Sequence, residues 1–290
     1  YAMWGDNSYY LRRLTPKDIK RLKSEDFLKS FKNALQYEVD IFYSGKVDIK
    51  SVSSSIQNNI TFSKNIKPAK SPKDMSLDKI SENTIYLLND KKAVQSQINF
   101  VINGSILNDK EYTISQAYNK YFGRGMGSLV FQEIREFRSL AYSCGAGYIS
   151  PFYSENEGYF NGYIGCQADK TIEAITVFND ITFNMPEKPE RMNQITSGLI
   201  KGINTNRPNF RRFPSMLSNW MKKGYKEDPR KKRVDYYETM NFNDVINFQK
   251  NNILGRSMLI TILTDVERVD MEQLKKFGNI VEVNRKDILN

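Results

Sequence analysis

The 290-residue chain contains no histidine. That absence removes whole classes of chemistry. Hydrolytic zinc sites are built from neutral imidazoles, or from several thiolates and carboxylates, and this chain has no imidazole to offer. Ser–His and Cys–His nucleophile pairs are excluded within it for the same reason. Cysteine is scarce too. Cys144 and Cys166 are the only two, too few for a metal cage without histidines to help. They fall symmetrically about a hairpin turn expected near 154–158, so a cross-strand disulfide is geometrically open. A reduced, buried pair is the preferred reading, and the compartment stays unassigned. No apolar run approaches the ~18 residues of a membrane span, and no signal peptide is read. Tyr1 is not an initiator methionine, so the start is expected to be a processed or excised boundary.

What is present is enough for a folded core: 40% of the residues are hydrophobic and 12% aromatic, which is not a disordered composition. The net charge is +10, with excess at Arg211-Arg212, Lys222-Lys223 and Arg230 to Arg233. Nucleic-acid binding is the sharp reading of such charge. No zinc-finger, RRM or KH signature supports it, so the patches are read as solvated basic faces and no nucleic-acid partner is expected.

Along the chain, Thr15-Pro16 opens a helical region as N-cap and first helical residue. Tyr37 to Tyr43 alternates as a half-buried strand does, and a helix follows from about Asp48 to Asn59. Residues 1–61 therefore read as a helix–strand–helix segment closing a preceding domain, and 62–81, polar and proline-bearing, as a linker. From 82 to 290 the pattern is of one complete domain. Strands are expected near 84–88 and 94–103, then a helix over 110–122 and a second over 128–138. An aromatic hairpin (142–153 and 157–167) leads into helices at 171–184, 189–206 and 210–224. A short helical turn at 236–240, a helix at 243–251 and a strand–helix–strand end (258–263, 271–277, 279–283) complete it. This order predicts an α+β fold, a mixed, antiparallel-rich sheet with helices packed mainly on one face.

The stretch from Tyr121 to Tyr148 carries the candidate chemistry. Its glycines, Gly123, Gly125 and Gly127, lack the spacing and the preceding strand of a phosphate cradle. They read as a helix break that lets two helices pack tightly. Glu133 has Phe137 four residues on, so the helical spacing gives it no cation to pair with. Arg135 and Tyr142, seven residues apart, could both donate to an oxygen that gains negative charge. On residue chemistry alone, a helix-end salt bridge and a half-buried tyrosine explain them as well.

The segment Phe122-Gly123-x-Gly125-Met126-x-Ser128-x-x-Phe131-Gln132-Glu133-Ile134-Arg135-Glu136-x-Arg138-x-Leu140-Ala141-Tyr142-Ser143 resembles the non-zinc domains of insulinase/pitrilysin-type zinc metallopeptidases. That group includes mitochondrial processing peptidase. The segment departs from the family pattern mainly at Arg124, Gly127 and Ser139. Leu14 to Ile19 and Ile41 to Asp48 are similar to the helix start, strand and Gly-x-Val-Asp turn of a preceding family domain.

The resemblance implies the C-terminal half of a clamshell endopeptidase for unfolded peptides. Zinc and its His-x-x-Glu-His helix would sit in an N-terminal half, on the same polypeptide or on a partner subunit. Arg135 and Tyr142 would hydrogen-bond the scissile carbonyl and its oxyanion. This segment would hold no metal or cofactor and be inactive alone. The alternative within the resemblance is a homologue without catalysis, acting as scaffold or peptide-binding module.

Overall fold

The computed structural model describes residues 1–68, 77–150 and 156–288. They divide into two compact units. The larger comprises Tyr1–Leu11, Ser76–Thr205 and Arg230–Asn290, and the smaller Arg12–Met75 and Asn206–Pro229.

The smaller unit holds helices α1 (Pro16–Arg21), α2 (Ser24–Ala34) and α3 (Ile49–Asn59), and, from later in the chain, α7 (Phe213–Lys222). Thr15 caps α1 as its sequence predicts: its hydroxyl accepts from the Asp18 N–H at 3.2 Å and the Asp18 carboxylate returns to the Thr15 N–H at 3.0 Å. Asp48 caps α3 through the amides of Lys50 and Ser51. The strand expected at 37–43 does not form a ladder. Among the described residues this segment makes one isolated bridge, Tyr37 to Lys67, and Val39, Ile41 and Phe42 are exposed. Alternation creates an apolar face, but a strand also needs a neighbour to take its N–H and C=O groups.

The larger unit is built on a six-stranded sheet of order β3-β4-β2-β5-β1-β6. The strands are β1 (Thr84–Asn89), β2 (Gln95–Asn103), β3 (Ala141–Ile149), β4 (Tyr159–Gln167), β5 (Leu259–Thr264) and β6 (Asn279–Val283). Pairings β3–β4, β4–β2 and β2–β5 are antiparallel, and β1 runs parallel to both β5 and β6. The sheet is therefore mixed and antiparallel-rich. Burial alternates along β1, β2 and β4, so one face is covered and the other only half-covered. Around the sheet lie α4 (Asp109–Phe122), α5 (Thr171–Phe183), α6 (Met192–Thr205), α8 (Pro229–Thr239), α9 (Phe242–Asn252) and α10 (Met271–Leu274). Helix α8 is longer than the turn expected at 236–240. Its first half is the Arg230-Lys-Lys-Arg233 run, whose residues are good helix formers without an apolar period. The linker read at 62–81 falls partly outside the described residues (69–76), as does the first part of the hairpin turn expected at 154–158 (154–155). Among the described residues no helix is long and apolar enough to cross a membrane.

The core is aromatic. Phe178 of α5 stacks on Phe100 of β2 at 4.0 Å, and Phe122 meets Phe160 edge-on at 5.5 Å. Each such ring contributes ~1.5–3 kcal/mol by leaving water. Tyr118 stacks on Phe122 at 5.3 Å and is wholly buried, yet its hydroxyl has no hydrogen-bond partner among the described residues. An unpaired buried hydroxyl is destabilising. Tyr118→Phe, which removes it and keeps the ring, is expected to raise stability by about 1 kcal/mol. Urea unfolding tests this, and a lower midpoint would show that the hydroxyl is satisfied in solution.

Candidate functional site

Helix α4 aims the chain at the site. Its buried Asn119 clamps the backbone of Tyr148 on β3: the side-chain amide donates to the Tyr148 carbonyl at 2.9 Å, and its oxygen accepts the Tyr148 N–H at 2.5 Å. At the helix end the Gly123 carbonyl accepts from the Ala146 N–H at 3.2 Å. A Cβ at Gly123 would lie 2.3 Å from the Ala146 oxygen. The glycine break therefore lets a helix approach a strand, rather than the second helix that the sequence suggested.

Beyond the glycines, Phe131–Glu136 is wound as a π-helix. The Phe137 N–H reaches back to the Gln132 carbonyl at 2.9 Å, five residues earlier. Wider winding changes which side chains meet. Glu133 pairs with Arg138, five residues on, at 2.5 Å, so the absence of a cation at the fourth position did not leave it unpaired. The chain then passes through Ser139 at φ 50°, a left-handed conformation that costs a non-glycine residue ~1–2 kcal/mol. It enters β3 through a bulge: Ala141 pairs with Cys166 and Ser143 with Gly165, leaving Tyr142 between them as the extra residue. Bulges of this kind re-aim a side chain. β3 is an edge strand of the sheet.

These irregularities bring Arg135 and Tyr142 together at the surface. The Arg135 guanidinium lies 4.4 Å from the centre of the Tyr142 ring and 4.8 Å from that of Phe131. One of its Nη1 hydrogens goes to the Tyr142 carbonyl at 3.2 Å, and its Nε stands 3.6 Å from the Glu136 carboxylate. The Tyr142 side chain is 81% exposed. An arginine has five N–H donors in a fixed fork, so among the described residues most of its donors remain open beside the exposed Tyr142 phenol. An isolated half-buried tyrosine, one of the sequence readings, does not describe Tyr142.

The cysteines are not partners. Cys144 lies opposite Ile164, Cys166 lies opposite Ala141, and both are free thiols. Burial pushes both up to about 11, with Arg135 pulling Cys144 back slightly. Burial likewise pushes the phenols of Tyr121, Tyr148 and Tyr237 up to about 12. These groups are raised above their ordinary 9.0 and 10.0, so between those values and the raised ones the folded chain holds protons that the unfolded chain has released. The stability they contribute is complete below about pH 9 and drains away as pH climbs through the folded values. Urea midpoints measured along an alkaline series should fall in that window, and thiol reagents should label neither cysteine quickly in the native chain at neutral pH. A flat alkaline profile with fast labelling would contradict the burial.

No three His, Cys, Asp or Glu side chains are gathered to hold a metal among the described residues. With no imidazole, two protonated and partly or wholly buried thiols, and carboxylates that are not gathered, the described donors do not fit a zinc ion. Arg233, in the basic run of α8, is stacked over Tyr112 at 4.6 Å.

The comparisons with known proteins bear on the family and the fold. The family model described as "Peptidase M16 inactive domain" matches residues 19–183, more than half of the chain. No curated protein sequence matches. Among solved structures the chain is similar to the peptidase M16 inactive domain from Pseudomonas fluorescens, with TM-score 0.61 and 14% identity over 86% of this chain and 59% of that one. It is similar to the periplasmic protease PqqL from Escherichia coli, with TM-score 0.54 and 14% identity over 76% of this chain and 24% of that one. A chain of complex III2 from Candida albicans matches with TM-score 0.56 and 15% identity, over 92% of this chain and 65% of that one. This chain thus spans less than two thirds of these relatives. The likeness to insulinase/pitrilysin-type peptidases read from the central segment holds at the level of the family: the chain belongs to the peptidase M16 family, through its inactive domain.

Proposed function

We propose that this chain is the substrate-binding, transition-state-stabilising half of a zinc-dependent endopeptidase that acts on unfolded peptides. The zinc-binding half is supplied by another part of the polypeptide or by a partner subunit. The observation that carries the reading is the Arg135–Tyr142 pair: a guanidinium fork stacked on an exposed phenol, aimed by a π-helix and a bulge. Such windings concentrate at functional sites. When a peptide carbonyl gains negative charge, both groups donate to its oxygen. The metal chemistry belongs to the complementary half. Residues 1–61 close a preceding family domain, 62–81 connect, and 82–290 form the final domain.

The test restores a zinc-binding half and compares cleavage of an unstructured peptide by the wild type with cleavage by Arg135→Ala and Tyr142→Phe. Wild-type rates in both variants would overturn the role.

A second reading, a scaffold or peptide-binding module without catalysis, draws on the likeness to a chain of complex III2. A His-x-x-Glu-His segment in the same gene or an adjacent one favours the first reading. Its absence from both favours the second.

A further inference from the structure

Gly125 and Gly127 border a cleft of ≈ 240 Å³ on the larger unit, between the end of α4 and helix α6. Its charged lining is of one sign: Lys120, Arg124 and Arg191, with no carboxylate. Arg191 is built in. One Nη donates to the Gly127 carbonyl at 3.1 Å and the other to the Gln132 side-chain oxygen at 2.6 Å, so it ties the glycine loop to the helix that carries Arg135. Lys120 and Arg124 make no ion pair among the described residues. Their positions follow from glycines: the Lys120 ammonium stands 3.9 Å from where a Gly125 Cβ would be, and the Arg124 Nε lies 3.1 Å from that point at Gly147.

Apart from Gln194, the rest of the cleft is apolar or bare. Met126 is 78% exposed at its rim and Ile195 lines a wall. Gly198, inside α6, faces the cleft with nothing within 4 Å of its missing Cβ. Packing does not require glycine there, and glycine weakens a helix. What it does is keep the cleft empty. The volume falls below the about 300–1,000 Å³ of pockets for whole small ligands. It suits one side chain: an aliphatic stem against Met126 and Ile195, with an anionic head among the three cations.

We propose that this cleft is a subsite for an acidic side chain, glutamate or aspartate, of a bound peptide. The proposal rests on the reading of this domain as a peptide-binding half, and not on its part in catalysis. It makes acidic, extended peptides the preferred class of substrate.

The test uses the whole chain and a dye-labelled unstructured peptide with one central glutamate, its glutamine twin, and both peptides with free or amidated C-termini. Fluorescence anisotropy should show the glutamate peptide binding roughly tenfold tighter than the glutamine twin, since charge-assisted bonds are about twice as strong as neutral ones but these cations are partly solvated. The preference should shrink with added salt. It should be lost in the double variant Lys120→Gln/Arg124→Gln, which alters exposed residues only, and in Gly198→Leu, which fills the cleft and keeps every charge. Equal binding of the twins, a preference that survives both variants, a dependence on the C-terminal carboxylate alone, or no binding of either peptide at millimolar concentration would overturn the proposal. Cleavage by Arg135→Ala bears on the catalytic reading alone, so each can fail without the other.

Discussion

Arg135→Ala, in the protein with its zinc-binding half restored, is expected to cut peptide cleavage by about 10²–10³-fold, the loss typical of one oxyanion donor. The loss should appear in kcat with KM little changed, because the fork meets a full negative charge only when the carbonyl becomes tetrahedral. Arg135→Lys should recover little. An ammonium keeps the charge but has neither the planar fork nor the flat face that lies 4.4 Å from the Tyr142 ring. Tyr142 allows the two contributions to be separated. Tyr142→Phe deletes the O–H but retains the ring on which Arg135 rests, so it should cost about 10²-fold through the lost donor alone. Tyr142→Ala also removes the platform and frees Arg135 to swing. It should approach the Arg135→Ala/Tyr142→Ala double variant, a non-additivity expected of groups that act as a unit. Steady-state kinetics on the wild type and these five variants decides this. Additive losses would mean that the stacking has no part in the site.

Most elements of the larger unit were legible because their signals are local. The apolar spacing of Ile114, Ala117, Tyr118 and Tyr121 specifies α4, and alternation specifies β1 and β2. What stayed hidden depends on distant partners. The π-winding of 131–136 is no property of helical spacing. It arises where Ile134 and Leu140 are both buried and the Leu140 N–H reaches the Ile134 carbonyl at 2.9 Å. Only that winding explains why Glu133 finds Arg138 rather than a cation four residues on. The segment 37–43 failed in the opposite sense: its alternation is clear, but among the described residues the ladder it needs is missing. As to the site, Arg135 and Tyr142 stood out through their resemblance to a family motif, whereas their stacking follows from the bulge at Tyr142, which the one-letter pattern does not mark. Arg191 was passed over altogether. It joins Gln132 from 59 residues away, and nothing near it in sequence signals that contact.

Gly123→Ala should be the most damaging single-methyl change in the glycine run, costing about 3–4 kcal/mol. The cause is steric rather than conformational. Gly123 sits at φ −144°, open to any residue, but its Cβ would stand 2.3, 2.5 and 2.7 Å from the oxygen, nitrogen and carbonyl carbon of Ala146. These are backbone atoms of β3, held by pairing to β4 and by the Asn119 clamp two residues on. No side chain can swing away, so the end of α4 must lift, breaking the Ala146 N–H bond to the Gly123 carbonyl. The neighbouring glycines supply controls of different origin. Gly125→Ala meets no clash but must hold φ 94°, a cost of ~1 kcal/mol or somewhat more. Gly127 has nothing within 4 Å of its missing Cβ, and alanine there should be close to neutral. Urea midpoints at constant slope should rank the three variants in that order. Because β3 carries Tyr142 and α4 leads into the Arg135 helix, Gly123→Ala should also disturb their stacking and lower cleavage, while Gly127→Ala should leave stability unchanged. If the three alanines cost the same, the run is a flexible connection, and the docking of α4 against β3 is not what positions the site.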